Sequence, residues 1–91
     1  MEFEWDTEKD RMNLEKHGVS FAEASTVFLD PLHASIPDDR YALDEQRYRT
    51  IGYTNKNRLV VVAHTDRGVR VRIITARNAT SRERYKHEES I

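Results

Sequence analysis

The sequence predicts an α+β fold in which two amino-terminal helices and one carboxy-terminal helix cover an antiparallel β-sheet. Three observations predict it. Helix-start signals occur twice near the amino end, a period of two runs almost without interruption from Gln46 to Arg77, and another helix-start signal follows at Thr80. The element order is therefore β-α-α-β-β-β-β-α, and the length of 91 residues predicts a single domain over residues 1–91.

The first segment is expected to be a short strand followed by a helix. Glutamates alternate with aromatic residues over residues 2–5, which is the period of a strand. Asp6 or Thr7 can then cap a helix that runs through Lys16. Gly18 ends this helix, because glycine readily takes the left-handed conformation that closes a helix.

A second helix is expected directly afterwards. Ser20 and Glu23 form a capping box, and apolar residues at helical spacing continue to Phe28, before Asp30-Pro31. The remaining elements are a short strand at 32–36, a turn and exposed acidic loop at 37–45, strands at 46–54, 58–65 and 69–77, and a charged helix at 82–89.

Strict alternation divides the last strand into an apolar face and a face that begins basic. The two faces are predicted to hold Val69, Val71 and Ile73 on one side, and Arg70, Arg72, Ile74 and Ala76 on the other. Arg72 and Arg77 then fall on opposite faces unless the strand ends or bulges before Arg77. The preceding strand is apolar on both faces and is therefore expected to be central, which brings His64 toward any site on the sheet.

Acidic and basic residues are segregated along the chain. Residues 1–45 carry 12 of the 16 carboxylates, whereas residues 46–91 carry 11 of the 15 lysines and arginines. The β-rich part holds seven arginines, namely Arg47, Arg49, Arg58, Arg67, Arg70, Arg72 and Arg77. Because guanidinium binds phosphate in a planar, bidentate way, this pattern predicts a sheet face for RNA or DNA phosphates, or for an acidic partner.

Composition excludes several other classes of protein. There is no cysteine, so neither a disulfide framework nor a thiolate metal site can form, and the four histidines show no metal-binding spacing. No metal or other cofactor is therefore expected. The longest apolar run, at 59–63, is far shorter than the roughly 20 residues of a membrane-spanning helix. No secretion signal is recognisable, so a cytoplasmic location without a membrane role is expected.

Two groups of residues together form a recognisable pattern. The first comprises Phe3, Trp5, Asp6, Asn13-Leu14, Lys16 to Phe21, Glu23-Ala24 and Asp30-Pro31. The second comprises Arg47, Ile51-Gly52, Val60 to Val62, His64-Thr65, Arg70, Arg72 to Ile74, Ala76-Arg77, Ala79-Thr80 and Glu83-Arg84. This pattern covers nearly the whole chain and resembles that of the BrnT family, the toxins of type II toxin–antitoxin pairs.

The resemblance implies a RelE-like fold and an endoribonuclease that inhibits translation and growth by cutting RNA. It also implies a BrnA-type antitoxin that binds operator DNA, blocks the toxin and, together with it, represses their operon. The chain departs from the family in two places. Its last helix ends soon after Tyr85-Lys86, and the loop at 37–45 matches the family least.

RNA cleavage without a metal ion needs a base for the 2′-hydroxyl proton, cations for the crowded phosphorane, and a proton for the departing 5′-oxygen. Arg72 and Arg77 are predicted to cradle the phosphate. His17 and His64 are the predicted catalytic imidazoles, because imidazole titrates near neutral pH. The predicted substrate-binding residues are Lys9, Asn13 and Lys16 on the first helix and Arg47 and Arg70 on the strands.

Each assignment has a structural alternative. The stripe of Lys9, Asn13 and His17, with Lys16 beside it, can be a solvated helix face, with the imidazole near the negative end of the helix dipole. His64 can be a buried structural histidine. Arg72 and Arg77 can pair with the acidic amino-terminal half. The alternative function is correspondingly a non-catalytic module whose basic sheet face docks an acidic protein or nucleic acid, with salt-sensitive affinity and no turnover.

Overall fold

The structure, a computed structural model, describes residues 1–41 and 45–90. Its strands are β1 (Glu2–Glu4), β2 (Ala34–Asp38), β3 (Arg47–Tyr53), β4 (Leu59–Arg67) and β5 (Arg70–Asn78), and its helices are α1 (Thr7–His17), α2 (Phe21–Ser25) and α3 (Ser81–Glu89). Short 3-10 turns occupy Thr26–Leu29 and Asp39–Tyr41. None of the described helices has the length and apolar composition needed to cross a membrane.

The five strands form one sheet in the order β1-β5-β4-β3-β2. Strands β2 to β5 are antiparallel neighbours, as predicted, but β1 lies parallel to β5. The α+β class is confirmed, whereas the wholly antiparallel sheet was wrong. The sequence of the three-residue strand β1 does not indicate whether it pairs in parallel or antiparallel. The direction depends on the position of β5 in the folded chain.

The local helix signals are confirmed at both ends of the chain. The Asp6 carboxylate accepts hydrogen bonds from the main-chain nitrogens of Glu8 and Lys9, and Gly18 ends α1 with φ of +73°. Thr80 and Glu83 form the predicted capping box of α3. These signals act within one turn of helix, which is why the sequence alone predicts them.

Two elements differ from the predicted bounds. The second helix is α-helical only to Ser25 and continues as a 3-10 turn to Leu29. Strand β2 lies two residues later than predicted and contains Pro37, for which the sequence predicts a turn. Proline is tolerated there because β2 is an edge strand, whose outer amide groups need no partner. Residues 42–44 of the predicted acidic loop lie outside the described residues.

Helices α1 and α2 pack on one face of the sheet, which we call the apolar face. The buried core comprises Val19, Phe21, Ala24, Val27, Val60, Val62, Ile73 and Ala76, with Phe3, Trp5 and Phe28 packed against it. Phe21 is fully buried and meets Trp5 edge to face at 6.2 Å between ring centroids. This cluster is the only extensive apolar core within residues 1–41 and 45–90.

Asn13 attaches α1 to β5. Because β1 pairs only with residues 70–72, the outer edge of β5 has no neighbouring strand beyond Arg72. The Asn13 amide nitrogen donates to the Val19 and Ala76 carbonyls at 2.8 Å each, and the amide oxygen accepts from the Ala76 nitrogen at 3.2 Å. Asn13 thus pairs with Ala76 as a neighbouring strand would, and it protects this edge from pairing with another chain.

A β-bulge at Ile74 changes the facing of β5. His64 is opposite Ile73 and Ala63 is opposite Thr75, so Ile74 is an extra residue. The predicted alternation was therefore wrong beyond Ile73: Ala76 belongs to the core, while Thr75 and Arg77 share the face of Arg72. Without the bulge, regular alternation would turn the Arg77 guanidinium into the core, where an unpaired charge is very costly. The exposed Val69 precedes the strand and joins neither face.

Candidate functional site

Six of the seven arginines of the β-rich part lie on the sheet face opposite the core. On β4, the residues at 61, 63, 65 and 67 share this face, and the strand register places the arginines of β3 and β5 beside them. We call it the arginine face; it holds Arg47, Arg49, Arg67, Arg70, Arg72 and Arg77. The seventh, Arg58, points elsewhere and binds Glu23 and the Gly18 carbonyl.

Arg70 and Arg72 pair with the amino-terminal strand. Arg72 Nη1 donates to Glu4 Oε2 at 2.9 Å, and Arg70 lies 3.7 Å from Glu2 and 3.9 Å from Glu4. The pairing with the acidic half that was the alternative interpretation for Arg72 is therefore present. The Arg72 side chain nevertheless remains 31% exposed, so part of its guanidinium is open to solvent.

Arg77 is held by α3 and not by the acidic half of the chain. Its two terminal nitrogens donate to the Glu83 carboxylate at 2.7 and 2.9 Å. These hydrogen bonds, with another from the Thr80 main chain, lower the pKa of Glu83 to about 2, and Glu83 in turn raises the pKa of Arg77. The guanidinium is thus fixed in orientation while 38% of the side chain stays exposed.

A groove of about 340 Å³ separates α3 from the arginine face, and we call it the α3 groove. Its lining consists of Ala34, Ile36, Arg49, Ile51 and Val61 from the sheet and Glu83, Lys86, His87 and Ser90 from the carboxy-terminal segment. His87 is 4% exposed, and its Nε2 has no hydrogen-bond partner. The Nε of Arg49 is also buried without a hydrogen bond, although Asp38 lies 3.8 Å away.

His87 is not among the site residues that the sequence predicts, since its spacing from the other histidines excludes only a metal site. A signal was present: His87 follows Glu83 by four residues, so both side chains lie on one face of the predicted last helix. That Glu83 would bind Arg77 could not be read from the sequence, however, since the two residues flank a turn. That contact joins α3, which carries His87, to the arginine face.

A second concave site, the α1–β5 cleft, lies along the free edge of β5. Its volume is about 470 Å³, and it is lined by Lys9, Met12, Asn13, Glu15, Lys16, His17, Ile74 and Thr75. The predicted stripe of Lys9, Asn13 and His17 and the neighbouring Lys16 all line this cleft. Asn78, the residue after Arg77, donates from its side-chain amide to the His17 carbonyl at 3.4 Å. The cleft and the arginine face are thus neighbours across the edge of β5.

The α1–β5 cleft and the arginine face also lie close together at the amino end of α1. The pKa of the Asp6 carboxyl is lowered, chiefly by the hydrogen bond from the Lys9 main chain, and the charges of Lys9 and Arg72 both contribute. Lys9 of the cleft and Arg72 of the arginine face therefore act on one carboxylate. An extended polyanion could contact both without leaving the edge of β5.

His64 is not placed at this surface. His64 lies on the apolar face, where its Nε2 and the Thr50 hydroxyl oxygen are 2.6 Å apart and its ring stacks on Tyr48. Phe28 contacts it edge to face, and burial lowers the pKa of His64. The sheet separates His64 from the arginine face, and the Asn13 amide is committed to the main chain. The geometry of both residues favours structural roles.

Comparison with known proteins identifies the family. A family model described as the ribonuclease toxin BrnT of type II toxin–antitoxin systems matches residues 5–83. The fold resembles the 1.1 Å crystal structure of the Brucella abortus ribonuclease toxin BrnT, with a TM-score of 0.70 and 25% sequence identity over 89% of this chain and 99% of that one. No curated protein sequence matches the chain. The chain belongs to the BrnT family of ribonuclease toxins of type II toxin–antitoxin systems.

Proposed function

We propose that this protein is a metal-independent endoribonuclease that binds RNA across the edge of β5 and, by cutting it, inhibits translation and growth in the cytoplasm. One observation carries the proposal: the bulge at Ile74 puts Arg72 and Arg77 on one face, beside four other arginines. The α1–β5 cleft adds the basic groups of α1 along the same edge. Family membership supports ribonuclease activity in general.

The carboxylates around these arginines do not prevent phosphate binding. Partly exposed ion pairs contribute only about 0–1 kcal/mol, so a phosphate can compete with them. A guanidinium also has five N–H donors, and one carboxylate cannot occupy all of them. Glu4 and Glu83 are therefore proposed to hold Arg72 and Arg77 in place while the remaining donors face the RNA.

The proposed reaction is an internal transesterification. The ribose 2′-oxygen attacks phosphorus as the bond to the 5′-oxygen breaks, which leaves a 2′,3′-cyclic phosphate and a 5′-hydroxyl. Arg72 and Arg77 stabilise the extra negative charge of the phosphorane. His17, which lies in the cleft and whose main chain contacts Asn78, is the proposed proton-transfer group: it takes the proton of the 2′-hydroxyl and gives it to the departing 5′-oxygen. Lys9, Lys16, Arg47 and Arg70 would bind flanking phosphates.

Purified protein incubated with RNA and a chelator tests this proposal. Wild type should cut the RNA, and Arg77→Ala should lower the rate on the order of 100-fold, a typical cost of removing one transition-state donor. Arg11→Ala is the matched control, because Arg11 also binds carboxylates but lies on the exposed side of α1. Intact RNA across a range of salt and pH, or full activity of Arg77→Ala, would contradict the proposal.

A BrnA-type antitoxin is the proposed partner. It would neutralise the toxin by covering the arginine face with an acidic or apolar segment, and operator DNA would be bound only through the antitoxin. The RelE-like relationship implied by the sequence pattern likewise stays a prediction. Co-expression with the gene that adjoins this one, followed by an RNA cleavage assay, tests the partnership.

The alternative is a binding module without chemistry. The carboxylates on Arg72 and Arg77 favour it, because they show how an acidic protein could dock there. This alternative expects binding that weakens steeply with salt and leaves the RNA intact. The cleavage assay described above separates the two functions.

A further inference from the structure

We infer that the α3 groove is a nucleobase-binding site that selects a purine, with guanine preferred, next to the phosphate that is cut. The inference rests on the proposed ribonuclease function and specifies which part of the RNA the groove holds. Three features carry it: two buried nitrogens that make no hydrogen bond, an apolar wall, and direct continuity with Arg77.

The first feature is the pair of buried nitrogens without hydrogen bonds, of which Arg49 Nε has only the Asp38 carboxylate nearby, at 3.8 Å. Buried polar atoms in folded proteins are nearly always hydrogen-bonded, so each exception needs an explanation. Arg49 Nε and His87 Nε2 are two such exceptions, and both residues line the α3 groove. Among the described residues the only other is His64 Nδ1, on the opposite face. A ligand that brings acceptor atoms into the groove would satisfy Arg49, whose Nε can only donate.

The remaining walls specify the rest of the ligand. Ala34, Ile36, Ile51 and Val61 present aliphatic surface, and Ile36 is 53% exposed. A volume of about 340 Å³ is at the lower end of small-molecule sites, which span about 300–1,000 Å³. A phosphate ion alone would leave this apolar surface uncovered. A flat, apolar body with acceptors on one edge fits both features, and a nucleobase has that form.

Donor chemistry selects among the bases. Guanine presents two neighbouring acceptors, N7 and O6, and arginine is their commonest protein partner. Adenine presents one acceptor beside an amino donor, which the Arg49 N–H would oppose. Lys86 also lines the groove, and its ammonium group is another hydrogen-bond donor that favours a base edge with several acceptors. The expected order is therefore guanine first, adenine second, and the smaller pyrimidines last.

The groove joins the proposed cleavage site. Val61 on its floor is the register partner of Arg77 on β5. Glu83 on its opposite wall binds the Arg77 guanidinium. A base in the groove therefore has its sugar–phosphate beside Arg77, so base recognition would fix which phosphodiester is cut.

Cleavage of four oligonucleotides tests the inference. Each is 2′-O-methylated except at one ribonucleotide, which is G, A, C or U, so only the bond after that position can be cut. Wild type should cut the G substrate at least 10-fold faster than the C or U substrate. Arg49→Lys keeps the charge but removes the Nε–H, and it should reduce this ratio to about threefold or less. Arg67→Lys, on the same face but outside the groove, should leave the ratio unchanged.

A second variant and a binding measurement keep the test decisive if Arg49→Lys does not fold. Ile36→Ser changes a half-exposed side chain and should also reduce the G over C ratio. Guanosine 3′-monophosphate should bind wild type at least 10-fold more tightly than cytidine 3′-monophosphate in an NMR titration, with shifts at Ile51 and His87.

The outcomes separate this inference from the proposed function. Equal cutting of all four substrates would overturn base selection and leave the ribonuclease proposal intact. If no RNA is cut, the ribonuclease proposal fails. The nucleotide titration then still tests whether the α3 groove binds guanine in preference to cytosine. Equal affinity for the two nucleotides, or shifts confined to the α1–β5 cleft, would overturn the inference.

Discussion

The two faces of the sheet use the same strands for opposite purposes. The apolar face is closed by α1 and α2, and residues such as Phe21 and Val62 are fully buried there. The arginine face is covered only in part, by α3, whose one buried residue is His87. Stability is therefore expected to depend on the first face, while the second is free to bind a ligand. Because successive residues of a strand point to opposite faces, the same strands supply both the buried core and the ligand-binding face of this small domain.

The faces also differ in how their polar groups are satisfied. On the helical side, Glu23 accepts from the Thr54 hydroxyl at 2.7 Å and from Arg58 Nε at 2.9 Å, which lowers its pKa. On the arginine face, Arg49 and His87 keep buried nitrogens without hydrogen bonds, although Asp38 lies 3.8 Å from Arg49 Nε. His64 Nδ1 is the exception on the apolar side. Among the described residues, two of the three buried nitrogens without a hydrogen bond thus belong to residues that line the α3 groove.

The largest expected effect concerns stability. Phe21→Ala should lower the free energy of unfolding by about 3–5 kcal/mol, because it empties the centre of the core. Arg72→Ala should lower it by less than about 1 kcal/mol, since its ion pair with Glu4 is partly exposed. Urea denaturation of both variants measures the contrast. A similar loss for both would mean that the arginine face also stabilises the fold.

An intermediate effect is expected at the edge of β5. Asn13→Ala removes both partners of the Ala76 main chain, and unsatisfied buried groups cost about 1–3 kcal/mol. Hydrogen exchange at the Ala76 amide should accelerate in parallel. Asn55→Ala, at an exposed turn, is the control and should change stability by less than about 0.5 kcal/mol. An unchanged Ala76 exchange rate would show that Asn13 does not protect this edge.

The smallest effect is a dependence of stability on pH. Burial lowers the pKa of His64 in the folded state, so the unfolded chain binds a proton first as the pH falls below about 6.5. Wild type should therefore lose stability from pH 7.5 towards pH 5, by at most about 1.4 kcal/mol per pH unit for one proton. His64→Gln should flatten this slope. Parallel slopes for wild type and His64→Gln would contradict the assignment.

Local signals predicted most of the elements. The Asp6 cap, the Gly18 stop and the Thr80–Glu83 capping box each act within a few residues, and all three are confirmed. The last three strands lie within two residues of the predicted bounds. Charge segregation and the density of arginines pointed to a basic sheet face, and Arg72 and Arg77 lie on it.

Pairing between distant segments decided the rest. The parallel pairing of β1, the bulge at Ile74 and the burial of His64 each depend on which residue of another strand lies opposite. The alternation of residue types along one strand cannot show that the strand contains an extra residue. The contacts that stabilise the bulge are made by the neighbouring strand and by Asn13. Composition and spacing therefore determined that this chain would have an arginine-rich strand, and only tertiary contacts decided that its guanidinium groups would share one face.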